Sequence, residues 1–204
     1  MENQNHAFNY AYLLKQVKAR VLLAQKKAIY TANEEMLSMY WDIGKLLSES
    51  QKQIGWGNNA LEKLANDLKN DYPEMKGFSV RNCQFMIQFY NEYNQQLTNT
   101  KRAVSYLNNN EIVLPISKLG WSHNITLMQR TKDIKARYWY MIQCLKNGWS
   151  RDFLIEAIKQ DYYHSHGALA SNFDTTLPEI QAKQVKETLK DPYIFDMLTF
   201  TEEY

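Results

Sequence analysis

Neither proline nor glycine occurs before Gly44. Nothing in the local chemistry of that stretch therefore stops a helix once one has started. Ile29, Met36, Tyr40, Ile43 and Leu47 recur at intervals of three, four and seven, the mark of a single apolar helical face, and Leu37 and Trp41 widen it. The pattern predicts one long helix, or two in tandem, over residues 7–52. A helix this long needs a partner surface along its length, from the same chain or from a second copy. A homodimer through the N-terminal helix, burying the Ile29/Met36/Tyr40/Ile43 face, is one way to supply it. The whole chain of 204 residues has only seven glycines and four prolines. That is too few for the many tight turns of a sandwich or barrel, so the expected class is mainly α, a multi-helix domain.

Past Gly44 the punctuation becomes readable. Gly55-Trp56-Gly57 interrupts the pattern, and Asn58 or Asn59 can cap a helix over about Ala60–Tyr72, with Leu61, Leu64, Ala65 and Leu68 inward and Pro73 as its stop. After a short Pro/Gly turn, Ser79 is a natural N-cap for a third helix running to about Tyr93, with Cys83, Met86, Ile87 and Tyr90 on one face and Arg81, Phe85, Gln88 and Glu92 on the other. Residues 91–110 are rich in Asn and Gln and read as a loop. Residues 103–114 can pair as a short β-hairpin around Asn108-Asn109-Asn110. Helices resume over Ile116–Leu119, Ser122–Arg130, Asp133–Lys146 (closed by Gly148) and Ser150–Tyr163. A last amphipathic helix spans Pro178–Leu189. Three parts follow: a long N-terminal helical segment (1–57), a central helical domain (58–170), and a C-terminal amphipathic helix with an acidic linker (171–204).

Charge varies along the chain more than the net of +2 suggests. Lys101–Arg151 carries nine Lys/Arg against Glu111 and Asp133, a net of +7, whereas Ser171–Tyr204 carries seven acids against three lysines, a net of −4. The first 33 residues carry five Lys/Arg against Glu2 alone. Clustered cations of this kind suit a polyanion, because they release counterions condensed on phosphate. The longest runs free of Asp, Glu, Lys and Arg are 12 residues, so no transmembrane helix is expected, and the N-terminus lacks the layout of a signal peptide. Two cysteines, Cys83 and Cys144, read as small core residues of a reduced, cytoplasmic protein.

No catalytic constellation is legible. There is no phosphate-cradling glycine loop and no nucleophile elbow, and no Asp is followed by Glu-x-Lys in alternating apolar strands, the layout of a metal-dependent nuclease. His164-x-His166 lacks a further cluster to complete a metal site. The chain is therefore expected to be no enzyme by itself and to need no cofactor. Residues 58–93 have the outline of a helix-turn-helix, which residues 103–114 would wing. Arg81 and Gln88, outward on its second helix, can bond base edges, while Lys76 and Ser79 at its start suit phosphate. His123, beside Trp121, can stack on or bond nucleic acid, though a satisfied polar group next to a core tryptophan is the plainer reading. Arg130, Lys132, Lys135 and Arg137 form the densest basic patch. DNA is the expected partner. A protein-interaction or dimerisation module is the alternative.

Seven stretches occur in an order that points further: Trp41-Asp42-Ile43-Gly44, Gly55-Trp56-Gly57, Gly77-Phe78-Ser79-Val80-Arg81-Asn82, Gly120-Trp121-Ser122-His123-Asn124, Gly148-Trp149-Ser150-Arg151, Asn172-Phe173 and Lys190-Asp191-Pro192-Tyr193-Ile194-Phe195-Asp196. From about Glu34 onward the chain resembles the N-terminal domain of YhcG-type bacterial proteins, a family of PD-(D/E)XK nucleases in which this region has no assigned function. Cys83 stands where the family often has Leu. The resemblance implies a nuclease-associated DNA-binding domain, with a C-terminal nuclease domain following in cis that holds the acidic metal ligands, the lysine and the Mg²⁺. It carries over no catalytic residue. The change of charge from +7 to −4 makes Pro178–Leu189 and the acidic tail a docking arm for that domain, since an acidic arm does not compete for phosphate.

Overall fold

The computed structural model describes residues 2–54, 58–103, 115–167, 187–188 and 190–194. They form α1 (Glu2–Ile54), α2 (Asn58–Asp71), a 3₁₀ turn (Lys76–Phe78), α3 (Val80–Ala103), a second 3₁₀ turn (Ile116–Lys118), α4 (Trp121–Arg130), α5 (Ile134–Asn147), α6 (Arg151–Lys159) and a π turn (Tyr163–Gly167). No strand occurs among the described residues. The class is mainly α, as the scarcity of glycine and proline implies.

The fold is organised by α1 and α3, which lie against each other over more of their length than any other pair of helices. Their closeness depends on Gly44. A Cβ there would collide with the Met86 carbonyl of α3, so the first break in the glycine-free stretch is where two backbones meet. Met36, Leu37 and Tyr40 of α1 meet Met86, Phe89 and Tyr93 of α3, and α4, α5 and α6 close the same core with Trp121, Met128, Met141, Cys144 and Leu154. Trp121 is central, with the Tyr40 ring 4.9 Å and the Phe89 ring 5.1 Å away. Trp139 covers the outer side of α5, edge-on to the rings of Trp149 and Tyr163. Helix ends follow their caps. The Asp133 carboxylate accepts from the backbone N–H groups of Lys135 and Ala136, Ser150 accepts from Phe153, and Gly148 adopts the left-handed conformation with φ 58°.

Three expectations change. First, α3 does not end near Tyr93 but continues to Ala103, through part of the Asn/Gln-rich stretch. Asn and Gln lower helix propensity only slightly, and no Gly or Pro is present there to stop the helix. The proposed hairpin falls on residues 104–114, outside the described residues, and Ala103 is helical. Second, the helix after Ser150 ends at Lys159, and Asp161 takes a positive φ of 53°. Third, the C-terminal segment is not wholly a linker. Thr188, Asp191 and Ile194 are buried, and Ile194 joins the main core. The remainder of the Pro178–Leu189 helix lies outside the described residues, as does Gly55-Trp56-Gly57.

Candidate nucleic-acid interface

Three of the sequence motifs converge on one place. Asn82, in the first turn of α3, donates to the Gly77 carbonyl at 2.6 Å and accepts from the Trp121 indole N–H at 2.8 Å. Asn124 donates to the carbonyls of Ile116, Leu119 and Gly120. Asp191 reaches in from the C-terminal segment, and its Oδ2 accepts both the Ser122 backbone N–H and the Ser122 hydroxyl, each at 2.8 Å. A carboxylate here satisfies free donors at the start of α4 and meets the positive end of its dipole. Gly120 allows the approach, since a Cβ there would stand 2.5 Å from Asp191 Oδ2. The Gly, Trp, Asn and Asp of these motifs thus hold the ends of helices together.

Around this knot opens a cleft of about 590 Å³ where the first turns of α3, α4 and α6 meet Glu187 and residues 190–193. Its charged lining is balanced: Arg81, Arg151 and Lys190 against Asp152, Glu187 and Asp191. Arg81 is exposed, its guanidinium 5.5 Å from the centre of the Phe85 ring, and among the described residues it has no acidic partner. Lys190, in contrast, pairs with Glu187 at 2.9 Å.

The residues expected to meet nucleic acid divide clearly. Lys76, Ser79 and Arg81 lie exposed at the turn and at the start of α3, with Ser79 also capping that helix through the Asn82 N–H. Arg130, Lys132 and Lys135 are exposed at the α4–α5 corner. Gln88 is half-buried and donates to Glu92 at 2.6 Å, so its amide is engaged. Two expectations are corrected by burial. Arg137 is 2% exposed; it bonds the Thr131 carbonyl through Nε and Nη2, pairs with Glu92 at 2.8 Å, and lies over the Tyr93 ring. It fastens α5 to α3 instead of facing solvent. His123 is 3% exposed, and its Nε2 lies 3.0 Å from the Trp149 carbonyl. A carbonyl only accepts, so that nitrogen carries the proton. Burial depresses the His123 pKa, outweighing the favourable carbonyl contact, and keeps the ring neutral. The second helix of the helix-turn-helix outline is also less free than its periodicity implies. From Val80 to Asn94 only Arg81 and Gln84 are exposed, because Phe85 packs on the core and Glu92 is held by Arg137.

Other reactive side chains are buried or paired. Cys83 and Cys144 are buried and free, with thiol pKa values raised by desolvation. Tyr93 is pushed up to about 12, chiefly by burial. His164 is exposed and paired with Asp161. Among the described residues no group of three His, Cys, Asp or Glu could hold a metal ion. No described helix is long and apolar enough to cross a membrane.

The family model of the DUF1016 N-terminal domain matches residues 16–165. The chain belongs to that family. No curated protein and no solved structure matches it. The match covers α2 to α6, the first three residues of the π turn and most of α1, so the DUF1016 N-terminal domain includes the α3, α4 and α6 walls of the cleft. Asp191, which closes the cleft, lies beyond the matched span.

Proposed function

We propose that this domain binds DNA and is non-catalytic by itself, serving a PD-(D/E)XK nuclease domain that follows it in cis and alone requires Mg²⁺, in the cytoplasm. The observation that carries the reading is Arg81: an exposed guanidinium without an acidic partner among the described residues, in the first turn of α3, with Lys76 and Ser79 beside it. The contact is made by the end of α3, as in helix-turn-helix proteins whose recognition helix uses its N-terminal residues. The length of the helix is committed to packing. Because the cleft is balanced in charge, the phosphate contacts belong to its rim, at Lys76, Ser79, Arg81 and Arg151, and to the exposed Arg130, Lys132 and Lys135.

Arg81→Ala tests this. Duplex DNA affinity, titrated at two salt concentrations, is expected to fall by about 1–3 kcal/mol if Arg81 reads a base edge. If Arg81 meets only phosphate, the loss is uniform across sequences and the salt slope falls by about one. Thermal stability should change by no more than roughly 0.5 kcal/mol, as at other surface sites. An unchanged affinity and slope in the folded variant would overturn the reading. The second reading, a protein-interaction module, is favoured by a different observation, the exposed apolar side chains of α1.

A further inference from the structure

Tyr10–Gln25 of α1 is exposed throughout, including Tyr10 (67%), Leu14 (38%), Val17 (50%) and Val21 (50%). A monomer seldom leaves such side chains in a contiguous row. At 100° per residue, Tyr10, Leu14, Val17, Val21, Ala24 and Ala28 form one stripe with alternating steps of four and three, the spacing of a helix–helix seam. The stripe continues past the arm over Ala32, Glu35, Met39, Asp42 and Leu46, and Leu46 is 63% exposed. It lies roughly 120° around the helix from the face that Asn33, Met36, Leu37, Tyr40 and Leu47 bury against the rest of the chain. The Ile29/Met36/Tyr40/Ile43 face, expected to be buried within the chain or across a dimer, is turned into the chain's own core, while a second face of the same helix is open from Tyr10 to Gln25 and at Glu35, Asp42 and Leu46, with Met39 partly buried against the core.

That second face has an internal symmetry. The positions from 10 to 46 read the same in both directions about Ala28, with steps of 4, 3, 4, 3, 4 on each side. Antiparallel pairing with an identical helix would set every seam position opposite another: Tyr10 with Leu46, Leu14 with Asp42, Val17 with Met39, Val21 with Glu35, Ala24 with Ala32, and Ala28 on the two-fold axis. The alanines at the centre let the backbones come close. Charge selects the same direction. Residues 10–33 carry Lys15, Lys18, Arg20, Lys26 and Lys27 and no acid, whereas residues 34–54 carry Glu34, Glu35, Asp42 and Glu49 against Lys45 and Lys52. An antiparallel pair lays the basic half on the acidic half and brings Arg20 beside Glu35 of the other copy; a parallel pair stacks basic on basic. Neither Arg20 nor Glu35 has an ion-pair partner among the described residues, whereas Glu34 is held by Lys118. The paired length is about 55 Å. With eleven seam positions per copy, it buries on the order of 1,500 Å² in total, the standard size of a specific interface.

We infer that the occupant of this face is a second copy of the chain, bound antiparallel through α1 with its two-fold axis at Ala28, so that the basic arm of each protomer lies along the acidic half of its partner's α1. This arrangement is independent of DNA binding. It puts the two bodies at opposite ends of one helical pair.

The test is directional cross-linking of the full chain. Tyr10→Cys and Leu46→Cys are prepared separately; the native cysteines are buried. Under oxidation, the mixture should give a disulfide-linked dimer containing one of each variant, while each variant alone stays uncross-linked. Linkage of either variant to itself means parallel pairing and overturns the inference, as does no linkage together with a monomeric mass by light scattering. Charge exchange provides the second measurement. Arg20→Glu should weaken the dimer about tenfold or more, and Arg20→Glu combined with Glu35→Arg should restore it. Failure of the double exchange to restore a dimer in a chain with unchanged melting would also overturn the pairing.

Discussion

Arg137→Met tests whether the basic patch is a binding surface or part of the fold. Methionine keeps most of the apolar stem and removes the guanidinium, which lies over the Tyr93 ring. The Thr131 carbonyl then loses two donors, at 3.1 and 2.6 Å, and Glu92 loses its ion pair at 2.8 Å. Breaking a buried pair by removing one partner costs about 3–5 kcal/mol. Glu92 is 26% exposed and can regain some water, which places the expected loss near the bottom of that range, at about 3 kcal/mol. For a chain of this length each kcal/mol lowers the midpoint by about 2–4 °C, so melting should fall by about 6–12 °C. Urea unfolding followed by circular dichroism gives the free energy directly. The double variant Glu92→Gln/Arg137→Met should lose less than the two single variants together, since the two residues share one interaction. A loss below about 1 kcal/mol for Arg137→Met, with a fall in DNA affinity at unchanged stability, would refute the reasoning and return Arg137 to the surface.

Gly44→Ala should destabilise by about 1–3 kcal/mol or more, because the new methyl collides with the Met86 carbonyl on a packed helix and neither backbone can yield cheaply; thermal melting checks it. Asp191→Ala should cost about 1–3 kcal/mol by leaving the Ser122 N–H without its acceptor, and truncation after Phe173 should cost more, since it also removes Ile194 from the core; both are read by denaturant midpoint. His123 is held neutral by burial, with a pKa below its unfolded value of about 6.5. The unfolded chain therefore binds the extra proton first. The stability associated with the neutral ring is present above about pH 6.5 and lost as pH falls below it, and His123→Gln should flatten that part of the stability–pH curve.

Local chemistry determined most of the helices. Their starts were legible where caps act within three or four residues, since Ser79 and Ser150 accept their own helix's N–H groups, and the end of α5 was legible because Gly148 supplies a left-handed turn. The end of α3 was not legible. Asn and Gln signal a loop only by composition, and a helix continues unless something in it costs more than packing returns. Arg81 was readable as an outward residue because periodicity alone places it opposite Cys83 and Met86.

Which cations face solvent was decided by the tertiary structure. Arg137 belongs to the same basic run as Arg130, Lys132 and Lys135, yet its partner Glu92 is 45 residues away, and nothing near Arg137 in the sequence reveals that distance. The same holds for Asp191, which stands in an acidic segment but caps a helix 69 residues earlier. The two faces of α1 show the division best. The sequence by itself determined that the helix is long and that apolar positions recur along it. Only the packing of α3 against Gly44 decided which of those positions turn inward, because a helix carrying apolar residues on two sides can bury either one, and the choice belongs to the partner surface that fits closest.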